Sequence, residues 1–376
     1  MEISDNLITS FRDKVNDHHG FVYFQYQNRK DKNHWNIICS CMDWISVAIR
    51  GLAKYEEADD IDVRSMQFFS VISSIDIVME AVTQLSRVFI GPKHIPFKGD
   101  NSVFKANDWG LDDNNYFKEL RAMFGAHPVN LKRNDEQWFA SWPYDHFIDD
   151  DSTFQIRLYS NRVGVEDITV GVKSDSLVQF LKLRYGFLEK ISDEIDRQYE
   201  AYCAQMASEE IFVPENVLSM ICVLESESQR RMNNMLYQSV LSDLKRVFST
   251  ELAEEHLAKE LSDYKNSLVS LVLEVRDNLQ SMKFDDLENY SLISPRYDYS
   301  TIGYAISKLH QYDFNRRLEP LFDSHMKVLD QFSNNKYGFV GENTADQVFV
   351  KLHLMLYTNH HQTALDHVAD EGFAHW

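Results

Sequence analysis

The chain has 376 residues, 44% of them hydrophobic and 13% aromatic, which is enough to fill two or three well-packed cores and too apolar for a disordered chain. Its formal net charge of −20 argues against a dedicated nucleic-acid scaffold, which carries a basic stripe, but leaves room for a nuclease with a small basic cleft on an acidic body. Cys39, Cys41, Cys203 and Cys222 are few and irregularly spaced, so a reducing compartment and no disulfide framework are expected.

The opening "MEISDNLITSFRDKVND" is too charged for a signal peptide. No uninterrupted apolar run approaches the roughly 18 residues of a membrane span. The expectation is a soluble, cytoplasmic protein with no membrane partner. The stretch to about residue 34 is polar and aromatic, with "NRKDKNH" as a loop. Trp35, Ile38, Met42, Ile45, Ile49 and Leu52 then recur at spacings of three and four, the stripe of an amphipathic helix. The acidic "YEEADDID" interrupts it, and a second helix follows over about 63–90, stopped by Gly91-Pro92. Residues 91–114 read as a turn-rich loop. A third helix runs through Tyr116, Leu120 and Phe124 and ends near His127, because Pro128 disfavours helical geometry in the residue before it.

The β-rich segments "TFQIRLYS" and "DITVGV" flank "NRVGVE" and predict a hairpin at about 153–172. The aromatic "QWFASWP", with Trp138, Phe139 and Trp142, reads as packing beneath it, although such rings can also stack on bases. A fourth helix opens at Ser174 or Asp175 as N-cap. From about residue 206 only helices are predicted. Pro214 suits a first turn, and Leu257, Leu261, Tyr264, Leu268, Leu271, Val275, Leu279 and Met282 form a bundle or short coiled-coil seam. Two or three further helices fill about 300–370. The composition shift at "AQMASEEIFVPEN" divides the chain into 1–205 and 206–376. The expected fold is mainly α, with a β-hairpin inserted in the first domain and an all-α second domain, for which sensing or oligomerisation is considered.

No phosphate-cradling GxGxxG or GxxxxGK[ST], no GxSxG elbow and no HExxH occurs in the sequence. "CSC" at 39–41 lies in an apolar helix stripe without a second cysteine pair to complete a zinc site. His353, His360 and His367 share a helix face, but each seven-residue step rises about 10.5 Å, too far for neighbours to share one ion. "DDD" at 149–151 reads as a solvated loop. No metal and no cofactor is expected.

The stretch "YFKELRAMFGAHPVNL", residues 116–131, carries Arg121, a small-residue run and His127. RNA is cut by its own 2'-hydroxyl when a base removes that proton and an acid protonates the leaving 5'-oxygen, and histidine suits either role. Arginine's planar guanidinium holds two phosphate oxygens of the charged transition state. Gly125 and Ala126 would let a backbone or substrate strand approach. Arg12 with His18 or His19, Arg29 with His34, and Arg87 with His94 have comparable spacings, but only Arg121 and His127 lie at the end of a predicted core helix.

This segment resembles the R-x(4-6)-H motif of HEPN-domain ribonucleases, with Arg121, His127 and the preceding Leu120 carrying the match. The resemblance covers roughly residues 30–205. It implies an HEPN-like helical bundle, a homodimer with both motifs lining one cleft, and metal-independent RNA cleavage leaving a cyclic phosphate. It also implies a toxin-like, abortive-infection or anti-phage defence role, with a neutralising or activating protein partner. Arg121 would stabilise the phosphate and His127 would act as acid or base. Lys118, Lys132 and Arg133 lie close by in sequence and would attract the RNA, or equally are solvated charges paired with Glu119 and Asp135. Ala122, where the family usually has a polar residue, and the β-hairpin depart from the pattern. The rival expectations are a non-catalytic α-helical interaction or regulatory protein, and an HEPN-like dimer that has lost catalysis and binds a partner.

Overall fold

The computed structural model describes residues 3–105, 107, 109–133, 136–141, 154–231, 234–284, 286–294, 301–311 and 321–372. The chain divides into two units, Met1–Glu200 and Ala201–Trp376. The division falls inside one continuous helix, a few residues before the composition shift. The described residues form twelve α-helices and one small antiparallel sheet, so the protein is mainly helical.

Unit 1 begins with α1 (Asn6–Asn16) and α2 (Phe21–Tyr26), where the sequence suggested only a polar aromatic stretch. Ile8, Phe11 and Val15 recur at spacings of three and four and are buried, the short stripe that makes α1 amphipathic. Between the two helices His18, His19 and Gly20 all have positive φ, an uncommon run for side-chain-bearing residues. Helix α3 (His34–Ala53) starts at Asn33, whose side chain accepts from the Asn36 N–H at 3.2 Å. Helix α4 (Ile61–Phe89) starts at Asp60, whose carboxylate accepts from the Asp62 and Val63 N–H groups. These caps satisfy amides that the first helical turn leaves open. Of the predicted stripe, Ile38, Met42, Ile45, Ile49 and Leu52 are buried where α3 and α4 pack together, and Trp35 at its start is half-buried.

Helices α3 and α4 are long and apolar enough to cross a membrane by length and composition, although the sequence shows no uninterrupted apolar run of that length. About half of each apolar window is buried inside the unit (44% and 56%), and each window belongs to a core helix. Two such helices do not indicate a membrane protein.

Helix α5 (Asp113–Arg121) is capped by Asp112, which accepts from the Asn115 N–H at 2.8 Å. Four strands follow: β1 (Leu131–Arg133), β2 (Glu136–Ser141), β3 (Phe154–Ser160) and β4 (Ile168–Val172). They pair antiparallel in chain order. The β3–β4 pair, with Ile156 opposite Val170, is the predicted hairpin. It is half of a larger sheet, because Trp138 and Phe139 lie on strand β2, opposite Ser160 and Tyr159. The inner face carries Leu131, Trp138, Phe154, Ile156 and Leu158, alternating with exposed Arg157 and Tyr159 as a one-sided sheet requires. Phe68 of α4 stacks on Phe154 at 3.6 Å and meets Phe124 edge-on at 5.2 Å. This cluster ties sheet, helix and the end of the α5 segment together.

Helix α6 (Ser174–Ser208) closes unit 1. Its Arg184 is 2% exposed. The guanidinium donates to Asn114 Oδ1 at 2.9 and 3.2 Å and lies 3.8 Å from the Phe180 ring centroid. Burial pushes its pKa down to about 10, against the pull of Asp113, so it stays charged at neutral pH.

Unit 2 contains α7 (Val217–Arg231), α8 (Met235–Ser249), α9 (Ala258–Ser281), α10 (Thr301–Gln311), α11 (Phe322–Phe332) and α12 (Ala345–Gly372). All eight residues of the predicted 257–282 seam are buried, and α9 packs against α7, α8 and α12. The seam is therefore the core of a helical bundle. Fully buried Arg231 donates to the Met206 and Glu209 carbonyls, each at 2.6 Å, and pairs with Glu227.

Candidate functional site

Where α5 ends, the backbone does not stop but widens. Residues Ala122–Ala126 form a π-helical turn, and the His127 N–H donates to the Ala122 carbonyl at 3.0 Å. Such i→i+5 turns are rare and recur at functional sites. Leu120 and Phe117 on α5, and Met123 and Phe124 in the turn, are buried. The core therefore fixes the segment from below and leaves its polar side chains outward. The small residue at 125 does not open a path for a strand. A Cβ there would lie 2.9 Å from Phe69 Cδ2, so the ring of α4 already fills that space.

The polar side chains fall into two groups. On one side, Arg121 Nε pairs with Asp76 Oδ2 of α4 at 2.9 Å. The arginine side chain is 47% exposed and the aspartate 21%. The guanidinium makes no other polar contact among the described residues, so its two Nη groups remain available. Burial raises the Asp76 pKa above its ordinary value and Glu80 adds to this, while Arg121 and Lys118 oppose it. Asp76 also lines a shallow groove of about 340 Å³ with Cys41 and Trp44 of α3 and Glu80 of α4. Burial pushes the Cys41 thiol up to about 11, so it is protonated and a poor nucleophile at neutral pH.

On the other side, His127 lines a cavity of about 380 Å³ between the π-turn and the inner face of the sheet. Met123, Leu131, Trp138 and Leu158 form its apolar part, and Glu119, Asn130 and Lys132 its polar part. The side chains of His127, Glu119 and Lys132 have no hydrogen-bond or ion-pair partner among the described residues. Asn130 is held in place, its Oδ1 accepting from Gln137 Nε2 at 3.0 Å. An imidazole, a carboxylate and an ammonium, all uncommitted, thus surround one half-apolar space. Such a set can move a proton and hold an anion.

The structure therefore places His127 and Lys132 together and puts Arg121 and Lys118 beside Asp76. Arg121 does not line the His127 cavity. The Arg133 backbone pairs with Glu136 in the sheet, while its side chain lies outside the described residues. Trp142, the acidic run at 149–151 and the side chains of His360 and His367 also lie outside them. His353 is buried, its Nδ1 2.9 Å from the Phe349 carbonyl oxygen, as a core histidine. Among the described residues no group of three or more His, Cys, Asp or Glu side chains is placed to hold a metal ion.

Sequence reasoning missed Glu119 and Asp76. Glu119 lies two residues before Arg121 and was noted only as a charge partner for nearby lysines. Asp76 is distant in sequence, and its visible signal is a carboxylate, followed one turn later by Glu80, inside the apolar α4 pattern. Comparison with known protein families, with characterised proteins and with solved structures finds no match for this chain.

Proposed function

We propose that the protein is a metal-independent endoribonuclease of the HEPN type, active as a cytoplasmic homodimer in a toxin-like or anti-phage defence role. The observation that carries this reading is the uncommitted His127 imidazole in a cavity at the π-turn that directly follows Arg121. In the reaction a base takes the proton of the ribose 2'-hydroxyl. The 2'-oxygen attacks phosphorus, and an acid gives its proton to the departing 5'-oxygen. The products are a 2',3'-cyclic phosphate and a 5'-hydroxyl. His127 serves as acid or base. Because Arg121 and His127 do not line one cavity within a chain, the free Nη groups of Arg121 would hold the phosphate oxygens only in the cleft shared by two chains, with Asp76 fixing the guanidinium's orientation. Lys118 and Lys132 supply local positive potential on an acidic protein.

The homodimer finds support in the outward face of α3, where Trp44 is 55% and Val47 61% exposed. Large apolar side chains on one helix face are a surface that pairing would cover. A non-catalytic interaction protein is favoured by a different observation, the engagement of Arg121 by Asp76. RNA cleavage in the presence of EDTA, compared among wild type, Arg121→Ala and His127→Ala, separates the two. Cleavage that survives the chelator and is lost in both folded variants supports the ribonuclease. Cleavage that persists in both variants moves the active site elsewhere.

A further inference from the structure

We infer that the His127 cavity is a one-nucleotide subsite, taking a nucleoside 3'-phosphate unit of single-stranded RNA. This rests on the ribonuclease reading for its biological meaning, but as a binding site it is testable without catalysis. At about 380 Å³ the cavity falls within the roughly 300–1,000 Å³ of small-molecule sites.

Its lining divides by chemistry in the way a nucleotide does. Met123, Trp138 and Leu158 are nearly fully buried residues that still border the space. Little of each is accessible, so they form the floor of the space, and the partly exposed Leu131 beside them gives a planar base an apolar edge to lie against. Lys132 and His127 supply a cation and an imidazole for a phosphate. Glu119 is the odd member. A free carboxylate beside a phosphate site repels the ligand unless it accepts a hydrogen bond from it. In RNA the donor available next to a 3'-phosphate is the ribose 2'-hydroxyl, which DNA lacks. Glu119 thereby turns an anion pocket into one that distinguishes ribose from deoxyribose. In the proposed reaction it is placed to accept the proton of that same hydroxyl, leaving His127 to protonate the 5'-oxygen.

The test is calorimetric titration of the full-length protein with the four nucleoside 3'-monophosphates, their 2'-deoxy counterparts and the unphosphorylated nucleosides. Lys132 and Glu119 are exposed, so Lys132→Ala and Glu119→Gln should fold, and a melting curve checks this. Saturable binding of the 3'-nucleotides is expected. Lys132→Ala should weaken it about tenfold, the equivalent of roughly 1.4 kcal/mol, while leaving nucleoside binding unchanged. Glu119→Gln should abolish the preference for ribose over deoxyribose. No saturable binding, or binding indifferent to both substitutions, overturns the inference. Binding without RNA cleavage by the same preparation retains the subsite and overturns the ribonuclease reading. Cleavage without mononucleotide binding does the reverse.

Discussion

Arg121 and Asp76 form an ion pair that tethers the end of α5 to α4, and burial of the carboxylate works against it. Asp76 is the more buried partner, and its pKa is raised despite the nearby cations. A raised pKa means that the folded state favours the protonated form. That contribution is fully present below the unfolded carboxyl value of about 3.9 and is lost as pH rises through the folded value. At neutral pH the ionised carboxylate therefore lowers stability. Asp76→Asn is expected to keep or raise the melting temperature at pH 7, and the gap to wild type should close on acidification. Arg121→Ala should cost no more than about 1 kcal/mol, as for other half-exposed ion pairs. A clear loss of stability at pH 7 in Asp76→Asn would contradict this assignment.

Asp196 on α6 gives the opposite sign. Burial opposes its ionisation, but His18 Nε2 at 2.7 Å and Lys14 Nζ at 3.0 Å outweigh it and hold the carboxyl below its ordinary range. A depressed pKa contributes stability that is present above about pH 3.9 and is lost as pH falls through the folded value. Thermal melts of Asp196→Asn should therefore lie below wild type at pH 7. The two should converge at the acid end, and a gap independent of pH would show that charge is not the cause.

Position 125 offers a packing test. Gly125→Ala places a methyl carbon against the Phe69 ring, which must move. The ring is partly exposed, at 38%, so the cost should be about 1 kcal/mol, at the low end for overpacking. In Phe69→Ala, the same glycine substitution should be nearly neutral. A double-mutant cycle by urea denaturation measures the coupling. Additive effects would mean that the glycine serves the backbone of the π-turn and not the ring.

Much of the helical frame was legible because its cause is local. The stripe from Ile38 to Leu52 and the seam from Leu257 to Met282 each state their buried face in their spacing. Gly91-Pro92 marks the end of α4 to within two residues. Strands β1 and β2 were not legible. β1 has three residues, and Trp138 was claimed equally well by core packing. The candidate site was half legible. His127 and Lys132 are close in sequence and share a cavity. Arg121 lies outside that cavity and pairs with Asp76, 45 positions earlier in the chain, and no local pattern announces a partner so remote. Helix α1 is hard to read because its stripe holds only three residues, amid polar neighbours that dilute the period.

The π-turn makes the aim of His127 a matter of counting. In an unbroken α-helix the amide of residue 127 would bond the carbonyl four positions back. Here it reaches five back, to Ala122, as if one extra residue had been threaded into the helix. Deleting Ala126 would erase that surplus, and the histidine amide would reach the same Ala122 carbonyl through an ordinary four-residue bond. Every side chain named in the site would survive such a deletion, whereas the same loss from an unbroken α-helix would rotate all that follows by about 100°. The wide turn is therefore slack in the chain, able to absorb a change of length that a regular helix would pass on to the histidine.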